Sequence, residues 1–193
     1  MRLMDRGAVL AAYRNASRWR RDNPAARRGL LVGQAAPRNP AHGSGHALFP
    51  FPSNCAGARL FKMGGWGLMP WFAHWDRINT IQSFPGGAAS GKGDAFPLPL
   101  ARECAQRHFG EMRLWNRVCV FVGKANASCY AWDAEALPEP LTLHPQRGGG
   151  TWAWVPHTSG VVPFWNDPAH RDQLRQMFDD LGQIILPVSQ KSS

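Results

Sequence analysis

The chain is short of acid. Its 193 residues carry 13 Asp plus Glu against 22 Lys plus Arg, a formal net charge of +9. Much of the excess is arginine, which favours phosphate over a generic solvated surface, so a polyanion is the expected partner. Long apolar runs are also lacking. None approaches the roughly 20 residues a membrane helix needs, and the opening Met-Arg-Leu-Met-Asp-Arg has no export-type apolar core. No membrane partner is expected. The four cysteines, Cys55, Cys104, Cys119 and Cys129, form no C-x-x-C pair, which argues against a zinc knuckle or a disulfide framework. Read as reduced thiols, they indicate a cytoplasmic protein. No internal repeat is evident.

A hydrophobic fraction of 44% makes the chain globular rather than disordered. Its length suits one α/β domain with a real core. The expected domain covers residues 1–188, with an N-terminal helix in 1–22 and a loose tail at 189–193; a monomer is expected. Nine tryptophans beside so many arginines match a surface that stacks bases and holds a phosphate backbone.

Periodicity predicts helices over Asp5–Arg21, Cys55–Met63, Leu98–Phe109, Ala125–Trp132 and Asp167–Leu181. Strands are predicted at Gly29–Gly33, Ile78–Gln82, Val118–Val122 and Trp152–Val155, with a minor one at Leu141–Leu143. Strands alternating with helices imply a three-layer α/β/α sandwich around a central four-stranded parallel sheet. Such sheets place their chemistry in loops at the carboxyl ends of strands. The loop after Val155 carries His157, Thr158 and Ser159, then the bulky Val161, Val162, Phe164 and Trp165. That combination suits a charge-handling group beside a wedge. The Gly/Pro-rich stretch from Gln34 to Pro52 is long enough to suggest function.

Two further motifs lead nowhere. Gly86–Gly93 nearly spells a P-loop, but Gly93 stands where Ser or Thr is required and no helix opens at Lys92. It reads as a flexible loop with Lys92 near phosphate. His42 and His46 are four apart in a Gly-rich loop, where that spacing does not put them on one face; no metal site is expected.

Four stretches in order carry a resemblance that spans about Gly29 to Leu181. Leu31-Val32-Gly33-Gln34-Ala35-Ala36-Pro37 with His42-Gly43, Ile78-Asn79-Thr80-Ile81, Arg117–Ala125, and Pro156-His157-Thr158-Ser159-Gly160 together resemble the uracil-DNA glycosylase superfamily, most closely its B-type (fifth) family. The resemblance implies that fold and a monofunctional glycosylase acting on DNA with a damaged or modified base. Gly33, Gln34 and Ala35 would line the base pocket. In the stretch Phe51-Pro52-Ser53-Asn54-Cys55-Ala56-Gly57, Phe51 would stack on the flipped base. Asn54 stands where the B-type family has aspartate, and an amide orients water but cannot take its proton. Asn79 would read the base's polar edge, and His157 would stabilise the departing base. Ser159, Gly160, Val161, Val162 and Phe164 would press into the duplex. B-type relatives hold an iron–sulfur cluster on four cysteines; only Cys104 falls near a ligand position and Ser83 occupies another, so no cofactor is expected. The substrate implied is uracil or another deaminated base. Two alternatives stay open: a hypermodified pyrimidine of phage DNA as substrate, in defence or base processing, and a catalytically weak modified-base reader. A basic structural nucleic-acid binder is a third class.

Overall fold

The computed structural model describes residues 5–36, 47–52, 55–89, 94–133, 136–158 and 162–186. Among them, five strands form one sheet: β1 (Gly29–Ala35), β2 (Trp75–Ile81), β3 (Val118–Val122), β4 (His144–Pro145) and β5 (Thr151–Val155). The order is β2-β1-β3-β5-β4, with the first four parallel and β4 antiparallel to β5. The inner strands are buried on both faces, which is why Leu30–Val32 and Val118–Val122 read as continuous apolar runs.

Helices cover both faces. Leu31, Val120, Val122, Ala153 and Val155 pack against Val9 and Ala16 of α1 (Arg6–Asp22), Leu60 of α2 (Ala56–Gly64), Trp71 and Phe72 of α3 (Leu68–His74), and Leu174 and Phe178 of α6 (Pro168–Ile185). The alternate residues Leu30, Val32, Cys119, Phe121 and Trp152 face Ala101 and Ala105 of α4 (Leu98–Glu111) and Ala127 of α5 (Lys124–Ala127).

The structure corrects several expectations. The sheet has a fifth strand, two residues long, at 144–145 rather than 141–143. Strand β2 begins at Trp75, not Ile78, because α3 runs straight into it; Trp75 is already extended (φ −120°, ψ 118°) and serves as the C-cap. Helix α3 escaped notice because Pro70 interrupts its sequence. Proline is tolerated there, in the first turn, where backbone N–H groups lack intrahelical partners anyway. The helix expected over Ala125–Trp132 is a single turn. The Trp132 indole N–H takes the Ala127 carbonyl, and the Tyr130 hydroxyl bonds Thr80 across the sheet face, so the chain bends away.

The tryptophans also fall elsewhere than expected. Trp71, Trp75, Trp152 and Trp154 are buried and none of the nine is fully exposed. The Trp152 and Trp154 N–H groups donate to the carbonyls of Leu114 and Pro138. The Trp71 and Trp75 N–H groups are buried without a hydrogen-bond partner among the described residues, and these four large rings serve the core rather than a surface.

One close approach fixes the loop that enters α2. A Cβ on Gly57 would overlap the backbone of Leu48 and Phe49. Neither backbone can yield as a flexible side chain would. Gly57→Ala is expected to cost about 3 kcal/mol through overpacking, read as a lower denaturant midpoint at unchanged m-value; an unchanged midpoint would refute this packing.

Candidate active site

Two connections leave the sheet in opposite directions. The chain passes from β1 outward to β2, and from β3 outward on the other side to β5. Neighbouring strands whose connections diverge open a crevice at their carboxyl ends, where open α/β sheets bind ligands. Here the strand order puts that position over β1 and β3. Asn126 of α5 clips its floor, donating to the carbonyls of Val32 (2.9 Å) and Val122 (3.4 Å). Thr80 donates to the Asn126 carboxamide oxygen at 2.6 Å.

The expected pocket residues gather at this end. Gly33 pairs with Asn79 in the β1–β2 register. A Cβ on Gly33 would lie 2.5 Å from Asn79 Oδ1 and 3.3 Å from Leu48 Cγ, so the missing side chain makes the room that the Asn79 amide occupies. Asn79 is half-buried, and among the described residues its carboxamide has no hydrogen-bond partner. A half-buried amide left open by protein is available to water or a ligand. Gln34 leans over Gly123, the first residue after β3, whose φ of +97° and close amide neighbour both disfavour a side chain. Ala35 packs toward the α4 side. Phe51 is half-buried against the α1/α3 side, three residues beyond Leu48.

The first turn of α2 joins the loop after β1 to the loop after β5. Cys55 caps α2, its sulfur accepting from Ala58 N–H and donating to the Phe49 carbonyl. Thr158 is buried and donates from its hydroxyl to the Ala56 carbonyl at 2.9 Å. Arg59 donates to the Thr158 carbonyl at 3.2 Å. The threonine that stands where the resembled motif has proline therefore ties the His157 loop to α2, which a proline could not do. The Trp165 indole N–H donates to the His157 carbonyl at 3.1 Å, which makes Trp165 an anchor rather than a wedge. Phe164 stacks on His170 (3.7 Å between ring centroids, 3° between planes) and lends its carbonyl to His170 Nδ1. Val162 is half-buried at the start of this turn.

Burial pushes the His157 imidazole below its ordinary range, and the Arg59 guanidinium pushes it the same way. At neutral pH the ring is uncharged and has one N–H to donate. Burial likewise depresses His74 and His108. All three groups bind protons more readily unfolded than folded. Between their depressed folded values and about pH 6.5, the unfolded chain therefore holds more protons and stability falls as pH falls. The melting temperature is expected to drop from pH 7.5 to pH 5.5; a flat profile across that window would contradict these burials.

Sequence reasoning missed Arg59 and Asn126. Arg59 looked like one basic residue among many, and Asn126 sat inside what read as an ordinary helix. Asn54, Ser159, Gly160, Val161 and Lys92, and His42 and His46, lie outside the described residues. Gly87 bridges to Asp94, and the next described helix after β2 opens at Leu98; residues 90–93 lie outside the described residues.

The iron–sulfur cluster of the resembled family does not fit the donors present. Cys104 and Ser83 do line one cavity, beside His108. Cys119 is inside β3 with its thiol pushed up to about 12 by burial, Cys55 caps α2, and Cys129 bonds the Ala125 carbonyl. Among the described residues no group of three or more His, Cys, Asp or Glu is placed to hold a metal ion. No described helix is long and apolar enough to cross a membrane.

The mixed α/β sheet and the crevice at its strand ends define a class of architecture, not an activity. No protein-family model matches the chain, and no curated protein matches it significantly.

Proposed function

We propose that this chain is a monofunctional DNA glycosylase of the uracil-DNA glycosylase-like type, acting in the cytoplasm on DNA with a deaminated or otherwise modified base. One observation carries the reading: Asn79, a carboxamide without a hydrogen-bond partner among the described residues, sits at the carboxyl end of the sheet in the space Gly33 leaves, at the same end as the neutral His157. Asn79 lies on β2 and His157 follows β5, three strand spacings away, or roughly 14 Å. A flipped base fits between them, over β1 and β3.

In the reaction the C1′–N bond breaks and its electron pair leaves with the base. The His157 N–H donates to the base oxygen on which that charge collects. Asn79 offers both an amide donor and an acceptor to the base's polar edge, and Phe51 stacks on its face. Water adds its oxygen to C1′ and gives up a proton to solvent, since Asn54 can orient water but not deprotonate it. The product is a free base and an abasic site. No lysine is placed for strand cleavage by any motif.

Oligonucleotide duplexes carrying uracil, hypoxanthine or xanthine, treated with alkali after incubation, test this directly. The expected outcome is cleavage at the modified position only, and only after alkali. A second reading rests on the missing carboxylate at Ala35, Ala36 and Asn54: a reader that flips modified bases without fast chemistry. Selective binding to a modified duplex with no abasic sites would favour it. A glycosylase for a hypermodified phage pyrimidine would stay silent on these three bases and act on glucosylated cytosine.

A further inference from the structure

The opposite end of the sheet concentrates positive charge that the strand-end crevice does not use. Asp76, near the start of the edge strand β2, meets Arg20 of α1 at 2.9 Å, Arg117 before β3 at 2.7 Å and Arg28 before β1 at 3.6 Å. Both carboxylate oxygens are thereby committed. Arg20 also donates to the carbonyls of Ala73 and Trp75.

Next along the strand is Arg77, a fourth guanidinium. It forms no salt bridge among the described residues, and its Nε is sealed from solvent without a hydrogen-bond partner. What it has is a 3.4 Å bond to the Trp75 carbonyl and the face of Phe72 at 4.8 Å. Burial first, and Arg20 second, lower its pKa to about 10, so it stays charged at neutral pH. Three guanidinium groups thus share one carboxylate, and the fourth, Arg77, is left without an ion pair among the described residues. A buried cation without its own counterion is costly, and a sequence keeps such an arrangement readily where an anion completes it.

Beside these groups lies a cavity of about 300 Å³, lined by Tyr13, Ser17, Arg20, Phe72, Arg77, Ile78 and Met112 and, as its one acid, by Asp76, whose two oxygens already face arginines. Guanidinium forks match phosphate oxygens. The aromatic and thioether walls suit a flat organic group attached to that phosphate. We infer that this cavity is a binding site for a small phosphate monoester, up to the size of a mononucleotide, held by Arg77 and Arg20. The inference does not depend on the glycosylase reading, because the cavity lies at the amino-terminal half of β2, away from the carboxyl-end crevice.

The test is calorimetric and thermal titration of the full chain with inorganic phosphate and with deoxycytidine monophosphate, at constant ionic strength. Both ligands are expected to bind and to raise the melting temperature with concentration. Tighter binding of the nucleotide assigns the aromatic wall to its base; equal binding assigns the site to phosphate alone. In Arg77→Met, phosphate affinity is expected to fall at least about tenfold, while the ligand-free melting temperature stays level or rises because an unpaired buried charge is gone. Met112→Trp, which fills the cavity from its rim, is expected to block binding even if Arg77→Met folds poorly. Absence of binding in the parent chain, or an unchanged response in both variants, would overturn the site. A loss of duplex affinity in Arg77→Met matching its loss for phosphate would reassign the cluster to the DNA backbone and overturn the small-ligand assignment.

Discussion

His157→Ala is expected to slow base release by about a hundredfold or more while duplex affinity stays within about twofold. The size follows from what the imidazole does on the proposed reading. It is one preorganised donor to a developing oxyanion, and removing such a donor costs on the order of 3 kcal/mol at other active sites. Burial and Arg59 keep the ring neutral, so alanine removes a hydrogen bond and no ground-state charge that DNA would feel. The loop should survive the change. Thr158 remains tied to Ala56, Arg59 to the Thr158 carbonyl, and Trp165 to the backbone carbonyl of residue 157. Single-turnover rates beside duplex binding separate the cases. A slow variant that binds normally supports the role, and a normal rate removes it.

Asn79→Ala is expected to lose a similar factor, and Gly33→Ala is expected to reproduce much of that loss without touching the amide itself. A methyl at Gly33 would lie 2.5 Å from Asn79 Oδ1, inside any tolerable contact, so the carboxamide must move. A site built to hydrogen-bond a substrate suffers strongly when its polar group is removed or misplaced. If Asn79 merely filled the core, the two variants would lower stability and leave the rate per folded molecule alone. Denaturant midpoints measured beside rates decide between these outcomes.

Much of the sheet was legible in the sequence because parallel strands buried on both faces read as apolar runs; Val118–Val122 is the clearest case. Helix α6 was legible from Asp167-Pro168 at its start, since Asp167 does cap it. Elements joined without punctuation were not. The α3–β2 passage has no Gly or Pro between helix and strand, and period-based reading needs such marks. The two residues of β4 are too few to show alternation. Gly33, Gln34 and Asn79 drew attention through their motif context, and the structure puts Gly33 beside Asn79 and Gln34 beside Gly123. Arg59 was not, because its partner, the Thr158 carbonyl, lies 99 residues away and a backbone acceptor leaves no trace in sequence. The burial of Trp71, Trp75, Trp152 and Trp154 was not legible, because composition counts rings without saying which way they face.

The measurement that tests the central claim most directly is single-turnover release of free base, identified by mass spectrometry. Duplex and single-stranded DNA would carry uracil, hypoxanthine, xanthine, or hydroxymethylated or glucosylated cytosine, with His157→Ala as control. Release of at least one of these bases, leaving an intact strand with an abasic site, is expected, with loss of that release in the control. Silence across the whole panel with DNA binding intact, or release that His157→Ala leaves unchanged, would contradict it.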